Sequence, residues 1–164
     1  MDVRKLSDAV SVAPQLSVRE IAEAARLGFK KLINNRPDGE DFLQPSAREL
    51  EAAAREQGLA YHHLPVVSGA LTEHDVHAFR ALLAHAEQPV LAFCRSGTRS
   101  ATLWALALAG SGNADEVIAA AGQAGGTVEL VGRDIAGDAS VRAGFAEIFE
   151  RAGRIDILVN NAGI

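Results

Sequence analysis

Pro89-Val90-Leu91-Ala92-Phe93-Cys94-Arg95-Ser96-Gly97-Thr98-Arg99-Ser100 is the stretch on which the fold turns. Its first six residues are almost wholly apolar, which is how a strand buried on both faces of an α/β sheet reads in sequence. The next six are polar, carry two arginines and a glycine, and lead into the apolar run 101–109, which reads as a helix. Such a strand delivers Cys94 to its carboxyl end, where ligands of open α/β sheets sit. Successive backbone N–H groups and the helix N-terminus then converge to make an anion cradle. That field, with Arg99 beside it, favours thiolate over thiol, and the thiolate is the nucleophile. Arg95, Ser96, Thr98 and Ser100 are the other candidate anion-binding residues, Ser100 with its hydroxyl placed to reach the sulfur, and Gly97 supplies positive φ. The commonest fate of a lone cysteine is to be a small buried apolar residue. That reading leaves the arginines, the glycine and the hydroxyls unexplained.

Working outward, Val10-Ser11-Val12 reads as a short strand, and Ser17 with Glu20 has capping-box spacing for a helix running to about Gly28. Lys31 to Asn35 reads as a strand ended by the turn Arg36-Pro37-Asp38-Gly39. Ser46 with Glu49 opens a second capped helix that Gly58 stops, residues 59–67 read as a third strand, and Thr72 with Asp75 caps a helix bearing Val76, Phe79, Leu82 and Leu83 on one side. Asn113 with Glu116 caps one more helix, ending near Gly125. Alternating strands and helices predict an α/β fold, a mostly parallel central sheet flanked by helices.

The chain has 164 residues, 48% hydrophobic and 23% charged, enough for one substantial core and a fragment of another. A formal charge of -5 argues against a general binder of nucleic acid or anionic membrane, which would need a basic face. Any anion site is therefore local. No opening apolar run of signal-peptide length and no stretch long enough to span a bilayer is present, and the single cysteine excludes an internal disulfide. Cytoplasm is the expected compartment.

Four residues separate Cys94 from Arg99. In that spacing the loop resembles the Cys-Arg-x-Gly-x-Arg loop of rhodanese-type sulfurtransferases, whereas protein-tyrosine and dual-specificity phosphatases place five residues before the arginine. The layout of residues 28–36, 58–65 and 89–100 is similar to dual-specificity phosphatases. Residues 1 to about 125 more closely resemble the beta-lactamase-hydrolase-like, phosphatase-like domain family, through Val12-Ala13-Pro14-Gln15, Ile33-Asn34-Asn35-Arg36-Pro37-Asp38 and Phe93 to Ser100. The resemblance implies a phosphatase-like fold in which Cys94 and Arg99 are catalytic. Members of that family are described both as phosphatases and as sulfur transferases.

A phosphatase of this kind needs a general acid to protonate the leaving oxygen. The expected place after Pro65 holds Val66-Val67-Ser68-Gly69-Ala70, with no acid. Asp38, Glu40 and Asp41 lie on another loop, and Arg36 and Asp38 are candidates for substrate binding or acid duty, although exposed turn carboxylates are ordinarily solubilising charges. Sulfane-sulfur transfer between thiols needs only a thiolate and a stabilised anion. The short loop and the missing acid together favour a sulfurtransferase acting through a Cys94 persulfide, between an anionic sulfur donor and an acceptor thiol. The alternatives are a phosphatase taking a phosphate ester through a phosphocysteine at Cys94, and a fusion product that binds anions or partners without turnover.

Neither a cofactor nor a metal is expected. His74 and His77 share a helical face but lack a third ligand at convincing spacing. His62 and His63 fall on a strand, point to opposite faces, and so only one of them could line the site. Trp104 and Phe79 read as core. From residue 126 the chain resembles a short-chain dehydrogenase, through Asp134-Ile135 and the closing Asp156-Ile157-Leu158-Val159-Asn160-Asn161-Ala162-Gly163. The glycine-rich phosphate loop of that family and its Tyr-x-x-x-Lys positions are absent, so 126–164 is read as a truncated βαβ-like remnant whose apolar strand 155–159 favours self-association.

Overall fold

Three capping boxes define the helices that flank the strands. Ser17, Ser46 and Thr72 each accept from the backbone N–H three residues on, while Glu20, Glu49 and Asp75 accept from the backbone N–H of the capping residue. These boxes open α1 (Val18–Arg26), α2 (Ala47–Glu56) and α3 (Glu73–Ala84). The computed structural model describes residues 1–85, 87–108 and 114–125. Its strands are β1 (Arg4–Lys5), β2 (Val10–Ala13), β3 (Lys31–Asn34), β4 (Ala60–His63) and β5 (Val90–Phe93), and the chain continues into α4 (Thr98–Ala107) and α5 (Ala114–Gln123).

The sheet order is β1-β2-β5-β3-β4, with β1 antiparallel to β2 and every other pair parallel. The strand that carries the cysteine is therefore central, and alternate residues along it face two cores. Leu91 and Phe93 join Leu32, Ile21, Ala24, Leu50 and Ala54 under α1 and α2. Val90 and Ala92 join Val12, Ile33, Phe79, Leu103 and Trp104 under α3 and α4. Burial on both faces explains the unbroken apolar run 89–93.

Two boundaries and one unread strand stand out against the sequence reading. The third strand ends at His63 rather than Val67, because its ladder with β3 closes there: Leu64 N donates to the carbonyl of Asn34, the last residue of β3, and Val66 N to that of Asn35, already beyond it. The helix after the cysteine begins at Thr98, before the apolar run, so Thr98, Arg99 and Ser100 form its first turn instead of a loop. The two-residue strand β1 carries no periodicity to read. Asn113, the end of the apolar run at Ala109, and the whole segment 126–164 lie outside the described residues. No helix among the described residues is long and apolar enough to cross a membrane.

Phe79 is fully buried between α3 and the sheet, so Phe79→Ala is expected to cost about 3–5 kcal/mol. Ser46→Ala, which removes only a cap, is expected to cost about 1 kcal/mol. Urea midpoints at unchanged slope separate the two, and equal losses would contradict this assignment of core and cap.

Candidate active site

β5 ends at Phe93, and the next residue, Cys94, is 1% exposed. Gly97 sits at φ 87, a left-handed conformation that side chains resist, and its N–H donates to Cys94 Sγ at 3.1 Å. Gly97 is also the N-cap of α4, and it has no side chain to satisfy the first amides of that helix. The amides of Thr98, Arg99 and Ser100 are therefore left for something outside the helix, at the positive end of its dipole. Ser96 Oγ donates to Thr98 Oγ1 at 3.1 Å, and Arg95 is exposed at the rim. Gly97 N–H and the uncapped start of α4 thus lie beside Cys94 at the carboxyl end of the central strand.

What holds it comes from the end of β3. Asn35 is fully buried, and its N–H donates to Phe93 O at 2.8 Å. Its side-chain oxygen accepts from Ser100 Oγ at 2.8 Å, and its amide nitrogen donates to Leu64 O at 3.2 Å. Ser100 is therefore committed to Asn35 and not to the sulfur, a correction that follows from its place in the first turn of α4. Arg99 donates from NH1 to Asn35 O at 3.0 Å and from NH2 to Glu40 Oε1 at 2.9 Å. The other oxygen of Glu40 accepts from Arg36 Nε at 3.0 Å, and Arg36 NH1 donates to Gln15 Oε1 at 3.0 Å. Arg36, Glu40 and Arg99 thus form one ionic chain beside the cysteine loop.

Asp38 lies on the same segment but is engaged elsewhere: its Oδ1 accepts from Ala47 N at 2.8 Å, at the start of α2. Asp41 Oδ1 likewise accepts from Leu43 N at 3.2 Å. His63 is the histidine that reaches this region, its Nε2 lying 2.9 Å from Arg36 O. On α3, His77 lies 3.6 Å from Glu73 on an exposed face, and no group of three metal-ligating side chains occurs among the described residues. Asn34 donates to Tyr61 Oη at 2.9 Å while accepting from Arg36 N at 3.0 Å. Burial pushes the Tyr61 hydroxyl up to about 12, against the opposing effect of the Asn34 bond, so it serves as a neutral acceptor.

Sequence reasoning passed over Gln15, Asn34, Asn35 and Arg4 as site-building residues. The signal for the two asparagines was present: adjacent amides at the end of an apolar strand must be paired once buried. Arg4 left no such signal.

Residues 2–111 match the family described as "Beta-lactamase hydrolase-like protein, phosphatase-like domain", and residues 92–164 match the short chain dehydrogenase family. A beta-lactamase hydrolase-like protein of Xylella fastidiosa is 40% identical over 106 residues, which are 65% of this chain and 25% of that protein. The chain spans about a quarter of the length of the curated relatives it matches in this family. The crystal structure of a candidate phosphatase from Neisseria meningitidis is 38% identical and superposes with a TM-score of 0.69, covering 76% of this chain and 89% of that one. P. aeruginosa TpbA, crystallised in complex with pTyr, shares the fold at 15% identity and a TM-score of 0.55, over 72% of this chain and 70% of that one. With Cys94 at the carboxyl end of the central strand and two thirds of its length matched, the chain belongs to the phosphatase-like domain family of beta-lactamase hydrolase-like proteins.

Proposed function

We propose that residues 1 to about 125 hydrolyse phosphoric monoesters through a phosphocysteine at Cys94, with 126–164 taking no part in the chemistry. The observation that carries this reading is the seat of the sulfur, with Gly97 N–H 3.1 Å away and the uncapped start of α4 beside it, in a chain of a phosphatase-like family. The thiolate attacks phosphorus, the S–P bond forms, and the P–O bond to the leaving group breaks, the departing oxygen taking its proton from water. A second water then attacks phosphorus, the S–P bond breaks, and inorganic phosphate leaves with the thiolate restored. The amides of Ser96, Gly97 and Thr98 and the guanidinium of Arg99 bear the equatorial charge, a contribution of about 10²-fold or more per well-aimed donor. Arg95 at the rim attracts the anionic substrate. Ser100 positions the first turn of α4 through Asn35, and Arg36 acts through Glu40 on Arg99.

Sulfur transfer is the second reading, favoured by one specific feature, the four-residue spacing between Cys94 and Arg99. It would use the same cradle for a persulfide, with an anionic donor and an acceptor thiol. A paired assay separates them: an aryl phosphate beside thiosulfate or glutathione persulfide, with Cys94→Ser as control. Phosphate release lost in Cys94→Ser is the expected result, and Cys94-dependent sulfur transfer without phosphate release would replace it.

Asp38, Glu40 and Asp41 each accept hydrogen bonds within the structure, and we infer that none of them protonates the leaving oxygen. Aryl phosphates with acidic phenols should therefore turn over about 10²-fold or more faster than alkyl phosphates, the usual size of a general-acid contribution. Equal kcat/KM values would reveal a donor elsewhere. Glu40→Gln should lower kcat/KM about tenfold by loosening Arg99, with the shape of the pH profile unchanged. Loss of the alkaline limb in that variant would instead make Glu40 the acid.

A further inference from the structure

Arg4, on the edge strand β1, is used by nothing in the chemistry above, yet it lies against the cysteine loop. Its NH2 donates to Ser96 O in a very close contact, its NH1 donates to Ala124 O at 2.7 Å, and Asp2 Oδ2 lies 3.8 Å from its Nε. The antiparallel pairing of Arg4 with Val12 sets the side chain over the loop. A Cβ added at Gly97 would fall on the Arg4 guanidinium, so the glycine serves two ends: it adopts positive φ and it makes room for the arginine.

Ser96 O and Gly97 N belong to one peptide unit. In a trans peptide the C=O and the N–H point in opposite directions, so whatever fixes one end aims the other. Arg4 holds the carbonyl outward, and the N–H at the far end is the one that meets Cys94 Sγ at 3.1 Å. The preceding peptide is held the same way, because Arg95 O accepts from Gln15 N at 3.3 Å. A cradle whose amides face inward must turn its carbonyls outward, and these two are the ones with partners behind the loop. A cation on the carbonyl oxygen also polarises the peptide, making its N–H a stronger donor to negative charge. The planar fork of arginine suits the task, since it takes carbonyls from two separate elements at once.

We infer that Arg4 is a positioning residue for the Cys94 nucleophile, acting through the Ser96–Gly97 peptide that it orients from behind the loop. This rests on the reading of Cys94 as a nucleophile and adds to it a residue far from the motif in sequence. The same guanidinium ties the loop to the end of α5 through Ala124.

The test compares the wild type with Arg4→Met and Arg4→Lys by two readouts that need no substrate. The first is amide hydrogen exchange at Gly97, and the second is iodoacetamide alkylation at pH 7, which reports Cys94 alone because the chain has a single cysteine. In Arg4→Met, Gly97 should exchange about tenfold faster, the factor that one ordinary hydrogen bond supplies. Alkylation should slow by about threefold or more as the sulfur loses its donor. Protection in β2, β3 and β5 should hold, and Arg4→Lys, which keeps the charge but not the two-carbonyl fork, should recover only part of both effects. Wild-type values of either readout in Arg4→Met overturn the proposal. So does loss of protection throughout the sheet in that variant, since Arg4 would then be holding the fold together. Absent phosphate release alongside the expected exchange and alkylation would sink the phosphatase reading alone.

Discussion

The N–H of Asn35 donates to Phe93 O at 2.8 Å, one residue beyond the end of the ladder between β3 and β5, and the placement of the cysteine follows from it. A fully buried amide side chain that lost its partners would cost about 1–3 kcal/mol per unsatisfied group. Asn35 avoids this by spending every polar atom on a neighbour of the site. Its carbonyl takes Arg99 NH1 and Val66 N, its side-chain oxygen takes Ser100, and its nitrogen reaches Leu64. Rotating any one of these groups strands another, so the end of β3, the first turn of α4 and the segment after β4 are fixed together. The loop around Cys94 is thereby anchored from three sides, and such anchoring is what preorganisation of a site requires.

Charge is distributed by the same logic. Arg36 and Arg99 share Glu40, whose two oxygens each take one guanidinium. Two cations on one carboxylate leave an excess positive charge beside the loop, in a chain whose formal balance is -5. The field is therefore local. Arg36 is 3% exposed, and a buried guanidinium with only one oxygen partner would be costly, so the Gln15 carbonyl oxygen and Glu40 are part of what makes it tolerable. Gln15 also serves the loop directly, through its backbone bond to Arg95 O. The segment following β2 thus braces both the arginines and the cradle.

The sequence made the scaffold readable where one residue's chemistry decides the local structure. The three capping boxes are such cases, because a hydroxyl or carboxylate that reaches a helix amide does so at fixed spacing. The central strand is another, since burial on both faces leaves no room for a polar residue. What escaped reading depends on partners distant in the chain. Ser100 looked free to reach the sulfur, because nothing in the loop reveals that Asn35 waits 65 positions upstream with an open acceptor. The start of α4 was misplaced for a related reason: Thr98-Arg99-Ser100 is polar and reads as loop, yet those residues turn their polarity to the site while the helix has already begun. β1 is too short for any periodicity, and its pairing is decided by β2.

The short spacing between Cys94 and Arg99 acquires a structural meaning in this light. With α4 starting at Thr98, Arg99 is the second residue of the helix, and its guanidinium leaves the first turn toward Asn35 and Glu40. The loop proper is then Arg95, Ser96 and Gly97, and one of its amides is already on the sulfur. Such a cradle stabilises negative charge whether the anion is phosphoryl or sulfane, because backbone dipoles do not distinguish the two. What distinguishes them is the proton. A phosphate ester must release an oxygen that becomes basic as the bond breaks, whereas sulfur passes between thiolates with no such demand. The carboxylates that could supply that proton are bonded to Ala47, to Leu43 and to the two arginines. For a cradle of this kind the demand for a proton, rather than the affinity for the anion, is what separates the two chemistries.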